Sequence, residues 1–416
     1  MKKIELLAPA GSFEKAKIAF MYGADAVYAG TSELSLRTRT KMGIEDLEKT
    51  IKYAHAINKK VYATLNIYAL DEQYDAIKEQ VKKLIDINVD AIIASDVGVI
   101  STIREISKDI EVHVSTQANI VSLQAAKFWH NYGAKRVILA RELSESKIKY
   151  IMENKPKDLE VEMFVHGAIC YAYSGRCYLS KYLTNRCANL GDCAQVCRWQ
   201  FNVVAREVNN PESEINLDFD DKGTYLFSSK DLCLINKIPN IIDMGMESLK
   251  IEGRLKTDYY LATVVRAYRL AIDEYYNLLE TNSENKLDTN KYFLELNNVK
   301  TRGLSEFYYS DEANQDIHDL DGQSENLGYE YGARVVEVTD DSNISIVEIK
   351  NKLTKGDTLE VLYPNTISKN EFVIEELYDI NTNESIDTIN PGKKGQLVKI
   401  KIPYKVEEGL IIRRKR

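Results

Sequence analysis

The sequence predicts an α/β chain: a (β/α)8, TIM-like barrel followed by a small C-terminal all-β barrel domain. Three observations predict it. A phrase in which a helix end carrying Gly or Asn runs into a short apolar strand occurs four times: YGADAVYAG (22–30), INVDAIIASD (87–96), YGAKRVILARE (132–142) and MGMESLKIEGR (244–254). Further strand-like runs lie between these, giving eight strands alternating with helices within about 250 residues, which favours a closed parallel barrel over an open sheet. Beyond residue 325 the helical patterning stops, and short strands alternate with Asp, Asn, Gly and Pro turns.

IELLAPAG reads as the first strand, KKVYATLNIY as the third, IEVHVSTQANI as the fifth and LEVEMFVHGAI as the seventh. Amphipathic stretches such as MGIEDLEKTIKYAHAIN supply the helices between them. No GxGxxG follows the first strand, which counts against a dinucleotide-binding sheet. After the eighth strand, DYYLATVVRAYRLAIDEYYN reads as a helix. The predicted domains are residues 1–325, with a cysteine-rich segment (162–200) and a polar excursion (202–224), and residues 326–416. In the second domain ARVVEV, NISIVEIK, DTLEVLY, EFVIEELY, QLVKIKI and GLIIRRK are strands.

Composition narrows the function classes. The 416 residues carry a net charge of −8, which argues against indiscriminate nucleic-acid binding. RNA held by a local basic patch, such as the terminal RRKR (413–416), remains compatible with it. The 26 tyrosines pack or stack on bases; composition does not separate the two. No apolar run approaches a membrane span, and MKKIELLAPAGS lacks the features of a secretory signal, so a cytoplasmic location is expected.

The cysteines are concentrated. Cys170, Cys177, Cys193 and Cys197 fall within 28 residues, with Cys187 among them and Cys233 alone outside. Soft thiolates crowded in a cysteine-poor chain point to a bound metal, iron–sulfur or zinc; disulfides fit poorly because nothing looks secreted. The spacing is C-x6-C, fifteen residues, then C-x3-C. Zinc suits only the second pair, whereas an iron–sulfur cluster tolerates looser spacing, so a [4Fe–4S] cluster is expected. Cys233 is the alternative to Cys197 as fourth ligand. The segment starts at the end of strand seven, which sets the cluster over the barrel mouth.

Strand parity locates the remaining chemistry. His113, Ser115, Gln117 and Asn119 share one strand face; so do Ser248, Lys250, Glu252 and Arg254; Thr64 aligns with Asn66, and Glu162 with His166. Strands of a parallel barrel are normally apolar on both faces, so polar residues of one parity imply a lined pocket at the carboxyl ends. Arg37 and Arg39 in the first βα loop, Arg141 in strand six, Lys250 and Arg254 add five cations, a lining suited to a polyanion.

EMFVHGAICYAYSGRCYLS (162–180) resembles the signature of the collagenase-like, U-type peptidase family, which pairs a glutamate, a glycine and two cysteines six residues apart. LLAPAG, GADAVYAG, VSTQAN, ARELS, SSKDL and SLKIEGR resemble further blocks of that family along nearly the whole chain. The tRNA-hydroxylating branch is the one most resembled. That resemblance implies an iron–sulfur enzyme converting the wobble uridine of a tRNA anticodon loop to 5-hydroxyuridine. It also implies prephenate, a small dicarboxylate, as co-substrate in place of molecular oxygen. Carried over, Cys170, Cys177, Cys193 and Cys197 match the cluster-binding cysteines. In this reading Arg37, Arg39, Asn66, Gln117, Arg141, Lys250 and Arg254 bind substrate, while Glu162, His166 and Glu252 handle protons or orientation. The alternatives are a peptidase, for which HExxH and GxSxG are lacking and only a Cys170–His166 pair offers itself, and a cluster-bearing hydroxylase subunit acting on another substrate.

Overall fold

The computed structural model of the chain describes residues 3–30, 42–202, 204–207, 210–216, 225–310, 317–319, 328–339, 344–392 and 395–416. They form two compact units. Among them no helix is long and apolar enough to cross a membrane.

The first unit comprises residues 1–13, 26–254 and 301–325. Its eight strands are β1 (Glu5–Ala10), β2 (Ala26–Gly30), β3 (Lys60–Thr64), β4 (Ala91–Ala94), β5 (Glu111–Val114), β6 (Arg136–Ile138), β7 (Glu160–Ala168) and β8 (Ser248–Ile251). Each pairs in parallel with the next, and β8 pairs with both β7 and β1, which closes the predicted barrel. The strands are short and rich in Ala, Val and Ile because both their faces are covered. Helix Ile44–Ala56 shows the complementary pattern, burying Leu47, Thr50, Ile51 and Ala54 at helical spacing. Asp96 and Ser122 cap the helices Val97–Ile106 and Leu123–Asn131 by accepting from the backbone N–H groups of Val99 and Ala125.

Two departures from simple alternation matter for the site. The carboxyl half of β7 pairs antiparallel with a short strand, Asp231–Cys233, which itself pairs with Leu304–Ser305. The β7–β8 register also slips between Lys250 and Ile251, which sets His166 opposite Ile251. The period-two alignment of Glu162 with His166 therefore does not continue across the slip. Gly167 adopts φ +108 here, and a Cβ on it would stand 2.3 Å from the Glu252 carbonyl. Only glycine lets the two backbones approach this closely.

The second unit comprises residues 14–25, 255–300 and 326–416. The expected helix is present as Asp258–Glu280, capped by Thr257. Seven antiparallel strands form one sheet, in the order Glu371–Val373, Thr358–Leu362, Ile411–Lys415, Tyr329–Val338, Ile344–Ile349, Leu397–Lys401, Leu377–Asp379. EFVIEELY, expected as one strand, is divided between the two edges of this sheet. Only residues 374–376 link those edges, a reach of at most about 14 Å, so the sheet is curled toward the expected barrel.

RRKR is not a solvated basic patch. It belongs to the third strand of the sheet, where Arg413 is 1% exposed and pairs with Glu295 and Glu360 at 2.9 Å each. Arg414 pairs with Glu330 and Asp357, Lys415 with Glu371, and Arg416 with Glu330. Burying a guanidinium requires such carboxylates, so this patch is already neutralised within its own unit.

Candidate functional site at the barrel mouth

The barrel interior is layered. At its amino end Arg136 lies between Glu5 at 2.5 Å, Glu160 at 2.7 Å and Glu162 at 3.0 Å. Tyr62 donates to Glu5 at 2.6 Å, and its ring meets His113 edge-on. Lys250 Nζ donates to Glu162 at 2.9 Å and lies over the Tyr28 ring. Burial alone would raise the Glu162 carboxyl, but Lys250 and Arg136 outweigh it and hold it below its ordinary value. Burial, helped by Arg136, pushes His113 down, so its imidazole is neutral. Beside this network Leu7, Tyr28, Ile93, Ile138 and Phe164 pack in one core cluster, with Leu7 and Phe164 in register with Lys250 and Ile138 with Glu162.

Glu162 and Lys250 thus stand buried and paired in an ion network inside the barrel. Polar residues of one parity are buried in the barrel, and those toward the amino ends satisfy one another. Arg136, Glu5 and Tyr62 complete that network. Arg136 opens strand six with the inward parity, which was the available signal for it.

The carboxyl ends carry a second set. Asn66 donates to the Gln117 side chain at 3.1 Å, and Arg254 donates to Thr64 at 3.3 Å. Arg141 donates to the Ala168 carbonyl at 3.0 Å, with its guanidinium over the Phe164 ring. Glu252, 7% exposed, follows the end of β8. Arg37 and Arg39 follow β2, not the first strand, and lie outside the described residues. Of the five predicted cations the described residues bring three together: Arg141 and Lys250 lie over the Phe164 ring, and Lys250 and Arg254 over the Tyr28 ring.

Over this end runs the cysteine segment, braced to the barrel by hydrogen bonds. Arg176 donates to Tyr68 Oη and to the Gln117 carbonyl, both at 2.8 Å. Ser174 donates its backbone N–H to Glu142 at 2.5 Å and its hydroxyl to Asn119 at 2.9 Å. The Asn189 side chain accepts from the Cys177 N–H at 3.1 Å. Arg198 ties the far end back, donating to the carbonyls of Ile169 at 2.7 Å and Ser229 at 2.9 Å. These braces were legible only as neighbours of cysteines, in GRC and CRW.

The result is a gathering of four sulfurs. The Cys197 thiol is pushed up by burial, opposed by Arg198, and pushed further by Cys170, Cys193 and Cys177. Ser180 Oγ accepts from the Ala194 N–H at 3.0 Å and so sets the Cys193 loop against the Cys177 loop. The Gln195 N–H points at the Cys193 sulfur at 3.3 Å. Cys233 is instead 5% exposed, in register opposite His166 in the antiparallel pair. Among the described residues, no three His, Cys, Asp or Glu side chains gather as closely as a single metal ion needs. No disulfide joins the cysteines.

The face of this segment is aromatic and basic. Nine aromatic side chains are exposed among the described residues, and Tyr171, Tyr173, Tyr178, Tyr182 and Trp199 are five of them. From Cys170 to Trp199 there are four Arg or Lys and one Asp, in a chain whose net charge is −8.

Residues 11–319 match the family model described as Peptidase family U32, and residues 328–413 match that of the Peptidase family U32 C-terminal domain. The chain is 36% identical over 414 residues to the tRNA hydroxylation protein P1 of Bacillus subtilis (strain 168), covering 99% of this chain and 95% of that one. It is 35% identical over 451 residues to the tRNA hydroxylation protein P of Escherichia coli (strain K12), covering 98% and 95%. It is 31% identical over 414 residues to the Collagenase of Porphyromonas gingivalis (strain ATCC BAA-308 / W83), covering 97% and 95%.

Proposed function

The chain belongs to peptidase family U32, and we propose that it is an iron–sulfur enzyme hydroxylating RNA, with the wobble uridine of tRNA as substrate and 5-hydroxyuridine as product. The single observation that carries this reading is the tying together of the Cys170, Cys177, Cys193 and Cys197 loops over a barrel mouth, with exposed aromatic and basic side chains on the same segment. Four cysteine thiols on loops tied to one another are a donor set of the kind that suits an iron–sulfur cluster. A [4Fe–4S] cluster on these four cysteines would supply one-electron chemistry when bound.

The chain's own residues have separable tasks. Arg176, Ser174 and Arg198 fix the cysteine loops on the barrel. Arg254 offers its guanidinium to a small dicarboxylate, prephenate in our reading, which would stand in for molecular oxygen. Glu252 is the carboxylate at that end for orientation or proton transfer. An anticodon loop is already single-stranded, so presenting a base to such a mouth requires little unstacking. The relatives named for tRNA hydroxylation support the same substrate class.

The peptidase reading draws on the family's name and on the Collagenase relative. Its one pair available in the sequence, Cys170 with His166, joins an exposed thiol to an imidazole that is 1% exposed and set opposite Cys233. A gathering of four thiols is not what a single nucleophile needs.

The test is nucleoside mass spectrometry of bulk tRNA from a strain lacking the gene, grown without oxygen and complemented with wild type or Cys170→Ala. Loss of 5-hydroxyuridine, restored by wild type alone, is the expected result. Unchanged tRNA in the deletion strain, with no second pathway present, would sink the proposal.

A further inference from the structure

Beside Cys170 lies a cleft of about 340 Å³ in the first unit, lined by Arg141, Glu142, Tyr171, Tyr173, Tyr308 and His318 among others. It is large enough for a small planar ligand. We propose that this cleft receives the target pyrimidine, unstacked from a single-stranded RNA loop. Its ring would lie against the rim tyrosines and its polar edge would meet Arg141 and His318. The assignment rests on the function proposed above and adds to it the place where the base is held.

Four observations support it. The cleft walls are aromatic, and three of the chain's exposed aromatics, Tyr171, Tyr173 and Tyr308, are on its rim at 52, 57 and 50% exposure. Stacking on such rings is the usual way a protein holds an unpaired base. The wall is also built to stay in place. The Tyr171 ring packs edge-on to Phe227 at 5.1 Å and against His318 at 5.9 Å, and residues 228–230 pair with 317–319 through backbone hydrogen bonds.

The polar groups are of the right kind and number. His318 lines the cleft and packs against the Tyr171 ring at 5.9 Å. Arg141 uses one nitrogen on the Ala168 carbonyl and keeps further donors. Finally, the surrounding segment is basic within an acidic chain, which matches the phosphates flanking an extruded nucleotide. Cys170 lines the same cleft, so the base would be held beside the sulfur set rather than down the filled barrel axis.

The experiment uses the full-length, metal-loaded protein and an anticodon stem-loop RNA carrying 4-thiouridine at the wobble position. Irradiation followed by peptide mass spectrometry should place the crosslink in residues 170–177 or 305–310. Tyr173→Ala and Tyr308→Ala should each weaken binding of the unsubstituted stem-loop about fivefold or more. Tyr308→Phe should bind like wild type, as should Tyr150→Ala, an exposed tyrosine on helix Glu145–Asn154. A crosslink on another surface, from protein that does hydroxylate tRNA, would overturn the cleft and leave the function standing. Protein that neither binds nor modifies the RNA would overturn both.

Discussion

Arg198 donates to the main-chain carbonyl of Ile169 at 2.7 Å, so the residue after Cys197 is tied to the residue before Cys170. The two cysteines are 27 positions apart in sequence, and this bond, with its companion to Ser229, is what the structure uses to bring them together. Arg198→Ala should therefore leave the barrel folded but lower the iron and sulfide bound per chain after reconstitution, with the optical spectrum of the cluster weakened in proportion. Arg198→Lys can reach one carbonyl at a time and should fall between. Full metal content in Arg198→Ala would show that the loops hold without the tether.

Glu162 and Lys250 make the second prediction. Removing one member of a buried ion pair leaves the other charge uncompensated, at about 3–5 kcal/mol. Glu162→Gln leaves Lys250 and Arg136 short of a carboxylate, so its denaturant midpoint should drop with the slope unchanged. The paired change Glu162→Gln with Lys250→Met should recover part of the loss. A Glu162→Gln protein with wild-type stability and no activity would restore a catalytic role to this glutamate.

The same network sets an acid limit. The folded His113 is held below its ordinary value by burial and Arg136, with Glu111, Glu162 and Glu5 opposing. The unfolded chain therefore binds a proton at this histidine first, and stability should begin to fall below about pH 6.5. The Glu162 carboxyl is depressed in the fold, so its contribution is present above its unfolded value and is lost as pH falls through the folded one. Unfolding midpoints from pH 8 to pH 4 should decline in that order, and His113→Phe should flatten the upper part. A midpoint independent of pH across this range would contradict the buried network.

Sequence periodicity was enough for the barrel because each strand and helix announces its own burial. The concentration of cysteines over the end of β7 was legible too, since their density needs no long-range information. Three features were hidden. The register slip at Val165–His166 is decided by how Gly167 and Glu252 approach one another, which a period-two reading of either strand alone does not contain. The buried ion network needs six strands at once, so the pairing of Glu162 with Lys250 and Arg136 is not contained in any one of them. RRKR looked like a tail because its carboxylates, Glu295, Glu330, Glu360 and Glu371, are distant in sequence.

That last correction yields a fourth prediction. Arg413→Met removes a buried cation and leaves Glu295 and Glu360 facing each other and should lower thermal stability markedly. Neutralising the half-exposed Arg416 should leave the salt dependence of tRNA binding unchanged, because its charge is already engaged with Glu330. A reduced salt slope in Arg416→Gln would return the terminal strand to the RNA-binding surface.

Tyr178 and Tyr182 are the most exposed aromatics described, at 74 and 73%, and their rings stack at 6.5 Å with 29° between planes. Leaving two large rings in water is unfavourable unless a partner covers them. They stand one turn apart on the short helix Leu179–Thr184 and its approach, beside Lys181, within the basic segment over the barrel mouth. On the RNA reading they are a stacking platform for bases flanking the target, and each is worth about 1–3 kcal/mol when cut to alanine. Tyr178→Ala and Tyr182→Ala should each weaken stem-loop binding by that amount, with unchanged metal content. Phe should substitute for either, since the ring and not the hydroxyl carries the contact. If neither alanine variant changes RNA affinity, this face of the cysteine segment serves some other partner, and the docking of the loop must be sought nearer the cleft alone.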